Sequence, residues 1–145
     1  EKRRGEASGF RLAVVGCART LPGLFELRFG QGAPALPAVL EMGFGVDLLY
    51  YGSGPVPAAP PGTRLAVFRT PAELARALRE GEFSAVYSDV FFDDRVTRAG
   101  KSRFSSRFFE MGLEGALRGI DRLLAACRTP FYARYAAHLP GGPDV

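Results

Sequence analysis

The chain has little of what metal and redox chemistry require. Its 145 residues include two cysteines and one histidine. Cys17 and Cys127 lie far apart, so the chain alone cannot supply the four thiolates that usually hold an iron–sulfur cluster. The pair makes no disulfide framework either, and suits a protein kept reduced in the cytoplasm. A single histidine, His138, excludes a His pair or His triad and reads as structural. No apolar run approaches the roughly 18 residues of a membrane helix, and no internal repeat is present. The start, EKRRGEASGF, is polar throughout and is read as a tail rather than a signal peptide. Lysine is scarce as well, with only Lys2 and Lys101, so arginine carries most of the basic side of the formal net charge of +4.

What is present is the composition of a globular chain, 47% hydrophobic and 23% charged, at a length that suits one domain. FRLAVVG, residues 10–16, is a continuous apolar run closed by glycine, the pattern of a central parallel strand covered on both faces. The GxGxxG turn of a dinucleotide site does not follow it; residues 18–33 form a long connection instead. Residues 34–42 predict a helix with Leu36, Val39 and Leu40 inward, and VDLLYY, residues 46–51, predicts a second strand. GSGPVPAAPPG, residues 52–62, is too rich in Pro and Gly for a helix. A linker would look the same, but strand-like residues 64–68 resume directly, which favours a surface crossover.

TPAELARALREG, residues 70–81, has Thr70 as N-cap, Pro71 at the first helical position, Glu73 completing a capping box and Gly81 as the stop. Residues 84–90 predict a fourth strand. From there on, Leu113, Ala116, Leu117, Ile120, Leu123, Leu124 and Cys127 fall on one helical stripe. Glu114, Arg118, Asp121 and Arg122 lie off it as a solvated face, with Glu114 and Arg118 in the favoured order for an ion pair. Pro130 opens a last, aromatic helix.

This order predicts an α/β fold: a doubly wound, mostly parallel four-stranded sheet in the order 3-2-1-4, with helices on both faces and a C-terminal helical extension. Residues 1–9 are expected as a flexible tail, 10–139 as a single domain and 140–145 as a frayed end. The winding reverses between the first and fourth strands, and such sheets bind ligands outside the carboxyl ends of their strands at that point. Gly16 and Cys17 then stand opposite Ser88 and Asp89. Cys17 reads either as a small buried hydrophobe or as a ligand-touching thiol. Asp89, Asp93 and Asp94 beside Arg95 read as turn formers or as a metal or acid/base group; no metal site and no catalytic residue is assigned. Arg98, Lys101, Ser102, Arg103, Ser105 and Ser106, in what reads as a polar loop, supply donors suited to a carboxylate or phosphate, or form a solvated loop; Arg95, Lys101, Ser102 and Arg103 join the candidate ligand-binding residues. No nucleic-acid motif surrounds these basic residues, so nucleic acid is not an expected partner.

One stretch carries a resemblance. Over residues 83–126, a strand, a loop containing DDR and several basic residues, and FFEMGLEGALRGIDRLL are similar to the closing segment of the nitrogenase component 1 family. Gly112, Glu114, Gly115, Ala116, Leu117, Arg118, Asp121 and Arg122 carry the likeness, which extends more weakly back to residue 10. It implies the last Rossmann-like domain of a nitrogenase-like oxidoreductase or cofactor scaffold, cytoplasmic and not catalytic alone. It implies as partners the other domains or subunits of such a protein and an ATP-dependent iron-protein reductase. An iron–sulfur cluster or tetrapyrrole would belong to the parent assembly, with none held by this chain alone. Two departures accompany it. The cluster cysteines belong mainly to earlier domains that this chain lacks. The loop ahead of the final helix, where the family's catalytic subunit offers a histidine, has neither His nor Cys over residues 95–109, and Lys101, Ser102 and Arg103 stand there instead. The alternatives are a free-standing α/β module binding a small anionic ligand at the crevice, and a structural protein-interaction domain docking through residues 131–135.

Overall fold

The computed structural model describes residues 1–17, 35–52, 55, 56, 58–88, 94–105, 108, 110, 112–129, 135 and 138. The sheet is organised around β1 (Arg11–Cys17), whose residues are buried throughout except at its two ends. Successive side chains of a strand point to opposite faces, so Leu12 and Val14 enter one core while Ala13 and Val15 enter another. A strand covered on both faces needs no polar alternation, which is why FRLAVVG is apolar without a break.

β2 (Gly45–Tyr51) runs parallel to β1, in register from Arg11 opposite Gly45 to Cys17 opposite Tyr51. β3 (Thr63–Phe68) lies outside β2, and β4 (Ala85–Ser88) lies on the other side of β1. A fifth strand, β5 (Ser102–Arg103), pairs with β4, so the sheet has five parallel strands in the order β3-β2-β1-β4-β5. The four-stranded order 3-2-1-4 is contained in it. The addition comes from a stretch read as a loop, because two residues are too few to carry a period.

Helices cover both faces. α1 (Lys2–Ala7), α2 (Ala35–Glu41) and α5 (Gly112–Arg128) close the first core through Ala7, Val39, Ile120, Leu123, Leu124 and Cys127. α3 (Pro71–Glu80) and α4 (Asp94–Arg98) close the second through Leu74, Leu78 and Val96. Burial pushes the Cys127 thiol up to about 12, which makes it a core hydrophobe rather than a reactive group.

Three local findings bear on the sequence reading. Residues 2–7, expected as part of a tail, are helical, with Ala7 fully buried. A helix of six residues is not stable alone, and this one is fastened from outside, by Arg3 to Asp121 (2.6 Å) and by Glu6 to Arg128. The α3 capping box is present: the Glu73 amide donates to Thr70 Oγ1 (3.2 Å) and the Thr70 amide donates to Glu73 Oε2 (3.2 Å). Thr70→Ala should therefore lower stability by about 1 kcal/mol, read as a shift in urea midpoint with an unchanged slope. On α5 the apolar stripe is buried from Ile120 onward, whereas Leu113 and Leu117 are 79% and 41% exposed. The expected final helix after Pro130 and the long connection over residues 18–33 lie outside the described residues. Among the described residues, no helix is long and apolar enough to cross a membrane.

Candidate functional site

At the carboxyl edge of the sheet, Val15 of β1 is level with Ser88 of β4, and Gly16 and Cys17 extend β1 beyond that pair. Gly16, half-buried Cys17 and Ser88 thus sit at the reversal point between β1 and β4. Asp89 lies outside the described residues. Arg95, on α4, joins this edge by lining a cleft beside the ends of β2 and β3.

Lys101, Ser102 and Arg103 go elsewhere. Ser102 is level with Ala85, the first residue of β4, so Lys101 belongs to the amino edge of the sheet. Its ammonium donates to the Gly81 carbonyl at the end of α3 (2.7 Å) and lies 5.0 Å from the centre of the Phe83 ring. Burial lowers its pKa, while the carbonyl and the ring face favour the charged form. Ser102 is buried, and its hydroxyl donates to the Thr129 carbonyl behind α5 (3.2 Å). Arg103 is level with Val86 on the outer strand. The seven described residues of the eight proposed from sequence therefore divide between the two edges, because a parallel strand running through Ser102–Arg103 carries this stretch along the sheet instead of over its carboxyl end.

The carboxyl edge holds a cleft of about 660 Å³, lined by Tyr51, Val67, Phe68, Arg69, Thr70 and Arg95 among others. Tyr51 ends β2 level with Cys17, which puts the cleft one strand away from the β1–β4 reversal. The Tyr51 and Phe68 rings, 5.5 Å apart and inclined at 33°, form an aromatic wall. Tyr51, Phe68 and Arg69 were not singled out from sequence. Their available signal is position, each being the last residue of a strand or the first beyond one in an α/β sheet.

The cleft reaches the start of α3, a place where helix amides commonly meet an anion. Here an internal carboxylate has taken that role: Glu73 Oε2 accepts from the Arg69 amide (2.6 Å) and from the Thr70 amide. Those two backbone bonds hold the Glu73 carboxyl below the usual carboxylate range. An anionic ligand in this cleft would have to be met by the guanidiniums of Arg69 and Arg95. Among the described residues, no three His, Cys, Asp or Glu side chains group closely enough to hold a metal ion. Comparisons of the chain with protein-family models, with curated proteins and with solved structures find no match.

Proposed function

We propose that this chain is a cytoplasmic α/β binding module that takes a small anionic ligand with a flat apolar part at the carboxyl edge of its sheet. The observation that carries this reading is the Tyr51–Phe68 ring wall and the Arg69 and Arg95 side chains around one opening of about 660 Å³. A guanidinium offers a fork of donors to a carboxylate or phosphate, and the rings receive a flat group by stacking. The volume falls within the range of small-molecule sites, roughly 300–1,000 Å³. Gly16, Cys17 and Ser88 border the same edge. Titration calorimetry with phenyl phosphate and with inorganic phosphate tests it. Phenyl phosphate should bind the more tightly, and Arg69→Ala and Arg95→Ala should each weaken it about tenfold. Equal affinity for both anions, or two arginine variants indistinguishable from the parent, would count against the site.

A second reading is the last Rossmann-like domain of a nitrogenase component 1-like oxidoreductase or cofactor scaffold. One observation supports it: the described part of residues 83–126, which carry the resemblance, contains the successive elements β4, α4, β5 and α5 of a parallel α/β sheet. Under this reading the chain works with further domains or subunits and an ATP-dependent iron-protein reductase, and any iron–sulfur cluster or tetrapyrrole resides in the parent assembly. Native polypeptide captured without oxygen from its source cells would give mass and iron content together. A parent several times longer and carrying iron supports this second reading, and a free chain of this length without iron removes it.

A further inference from the structure

We propose that the groove between α1 and the first half of α5 docks an acidic amphipathic helix of a partner protein. The groove, about 310 Å³, has Met42, Leu117 and Ile120 as apolar lining, with Lys2, Arg3 and Arg4 along its α1 side and Glu1 at its end. Leu113 continues the apolar line one turn before Leu117. Leu113, Leu117 and Ile120 stand at i, i+4 and i+7, a span of about 10 Å on a helix. Two turns of a partner helix would cover that span with anchors at the same spacing.

Two features select this occupant. The rest of the outward side of α5 is laid out for water, with Asp121 on Arg3, Arg118 on Glu110 and Arg122 on Glu110. Leu113 and Leu117 interrupt that surface with large apolar side chains at 79% and 41% exposure. The rim is predominantly basic, since three of the four α1-side residues lining the groove are cationic. Arg3 is fixed there by Asp121, and no ion-pair partner of Lys2 or Arg4 stands among the described residues. An apolar floor with a basic rim complements a helix carrying leucine-like residues on one stripe and Asp or Glu beside it. A membrane surface would also meet basic and apolar side chains, but insertion calls for an apolar ridge, and Met42, Leu117 and Ile120 line a concavity.

The test is selection of displayed, randomised 16-residue peptides on the whole chain, followed by fluorescence anisotropy on the enriched sequences. Enriched peptides should be acidic with apolar residues at i, i+3 or i+4, and should lose affinity as salt rises. Leu117→Ser and the double variant Lys2→Glu/Arg4→Glu should each weaken them at least tenfold. Circular dichroism checks that the variants fold, and the charge-reversed pair, being exposed, keeps the test open if Leu117→Ser is unstable. Phenyl phosphate binding at the cleft should be unchanged in these variants. Four results would each overturn the proposal: no enrichment, enrichment of basic peptides, affinity that ignores both variants, or binding to phosphatidylserine vesicles that depends on the same residues.

Discussion

Gly115→Ala is expected to destabilise the chain by about 2–3 kcal/mol, within the range for forced overpacking, and Gly115→Val by more. A Cβ at this position would lie 2.6 Å from the carbonyl carbon and oxygen of Glu110 and 2.8 Å from its Cβ. The obstacle is mostly backbone, and the residue that owns it is clamped: Glu110 Oε2 accepts from Arg118 Nε at 2.8 Å, and Arg122 pairs with the other oxygen. Gly112 makes the opposite case. Its φ of +79° is the left-handed conformation, yet a Cβ there would meet nothing within 4 Å, so Gly112→Ala should cost only the backbone term of about 1–2 kcal/mol. Urea unfolding of both variants decides the order, and a smaller loss at Gly115 than at Gly112 would refute the packing argument. The clamp has a pH signature. Hydrogen bonds from Arg118 and then Arg122 lower the Glu110 pKa from its usual 4.5. A carboxyl depressed in the folded state contributes stability above its unfolded pKa and loses it as pH falls through the folded value. Glu110→Gln should therefore be less stable than the parent near neutrality, with the difference closing as pH drops below about 4.5.

Tyr50→Ala should remove about 3–5 kcal/mol, the usual loss for a large aromatic in a close-packed core. Tyr50 is fully buried, packed in the same cluster as Leu12, Leu48 and the inner side of α5. Its hydroxyl has a second task, donating to the Pro55 carbonyl at 3.3 Å and so tying the proline-rich crossover to β2. Tyr50→Phe should cost about 1 kcal/mol through that bond alone, while amide exchange in the crossover quickens. An alanine variant within 1 kcal/mol of the parent would mean that this cluster does not hold the fold together. Val56 of the crossover lines the cleft beside Tyr51 and Phe68, so if that cleft takes the anion, the phenylalanine variant should also weaken phenyl phosphate binding.

What sequence made legible was decided by length and by where stability originates. β1 and α3 carry their own signals, an unbroken apolar run in one and a reciprocal cap in the other. α1 has none: KRRGEA offers a single buried residue, and its holding contacts come from a helix far along the chain. α4 and β5 have five and two residues, below the reach of any periodicity, and with them went the placement of Lys101 and Ser102. The α5 stripe is legible as a period, but a period cannot say where along a helix the covering sheet stops, so Leu113 and Leu117 share the stripe and yet stand exposed. At the candidate site, topology points to the carboxyl edge through Gly16, Cys17 and Ser88, while Tyr51, Phe68 and Arg69 become visible only once β2 and β3 are side by side. Several residues behind the family resemblance have partners inside this fold, Gly115 against Glu110, Arg118 and Arg122 on Glu110, and Asp121 on Arg3.

The fastening of α1 to α5 joins residues 118 and 122 positions apart. During synthesis α1 leaves the ribosome well before α5, and the surface that holds it is completed only when Arg128 has emerged. At ribosomal speeds that interval is on the order of ten seconds. Over that time Ala7 and the side of β1 bearing Leu12 and Val14 lack the cover that α5 later gives them. The stretch from α1 through β1 is therefore adhesive until α5 is made, and it is a natural place for a chaperone to hold.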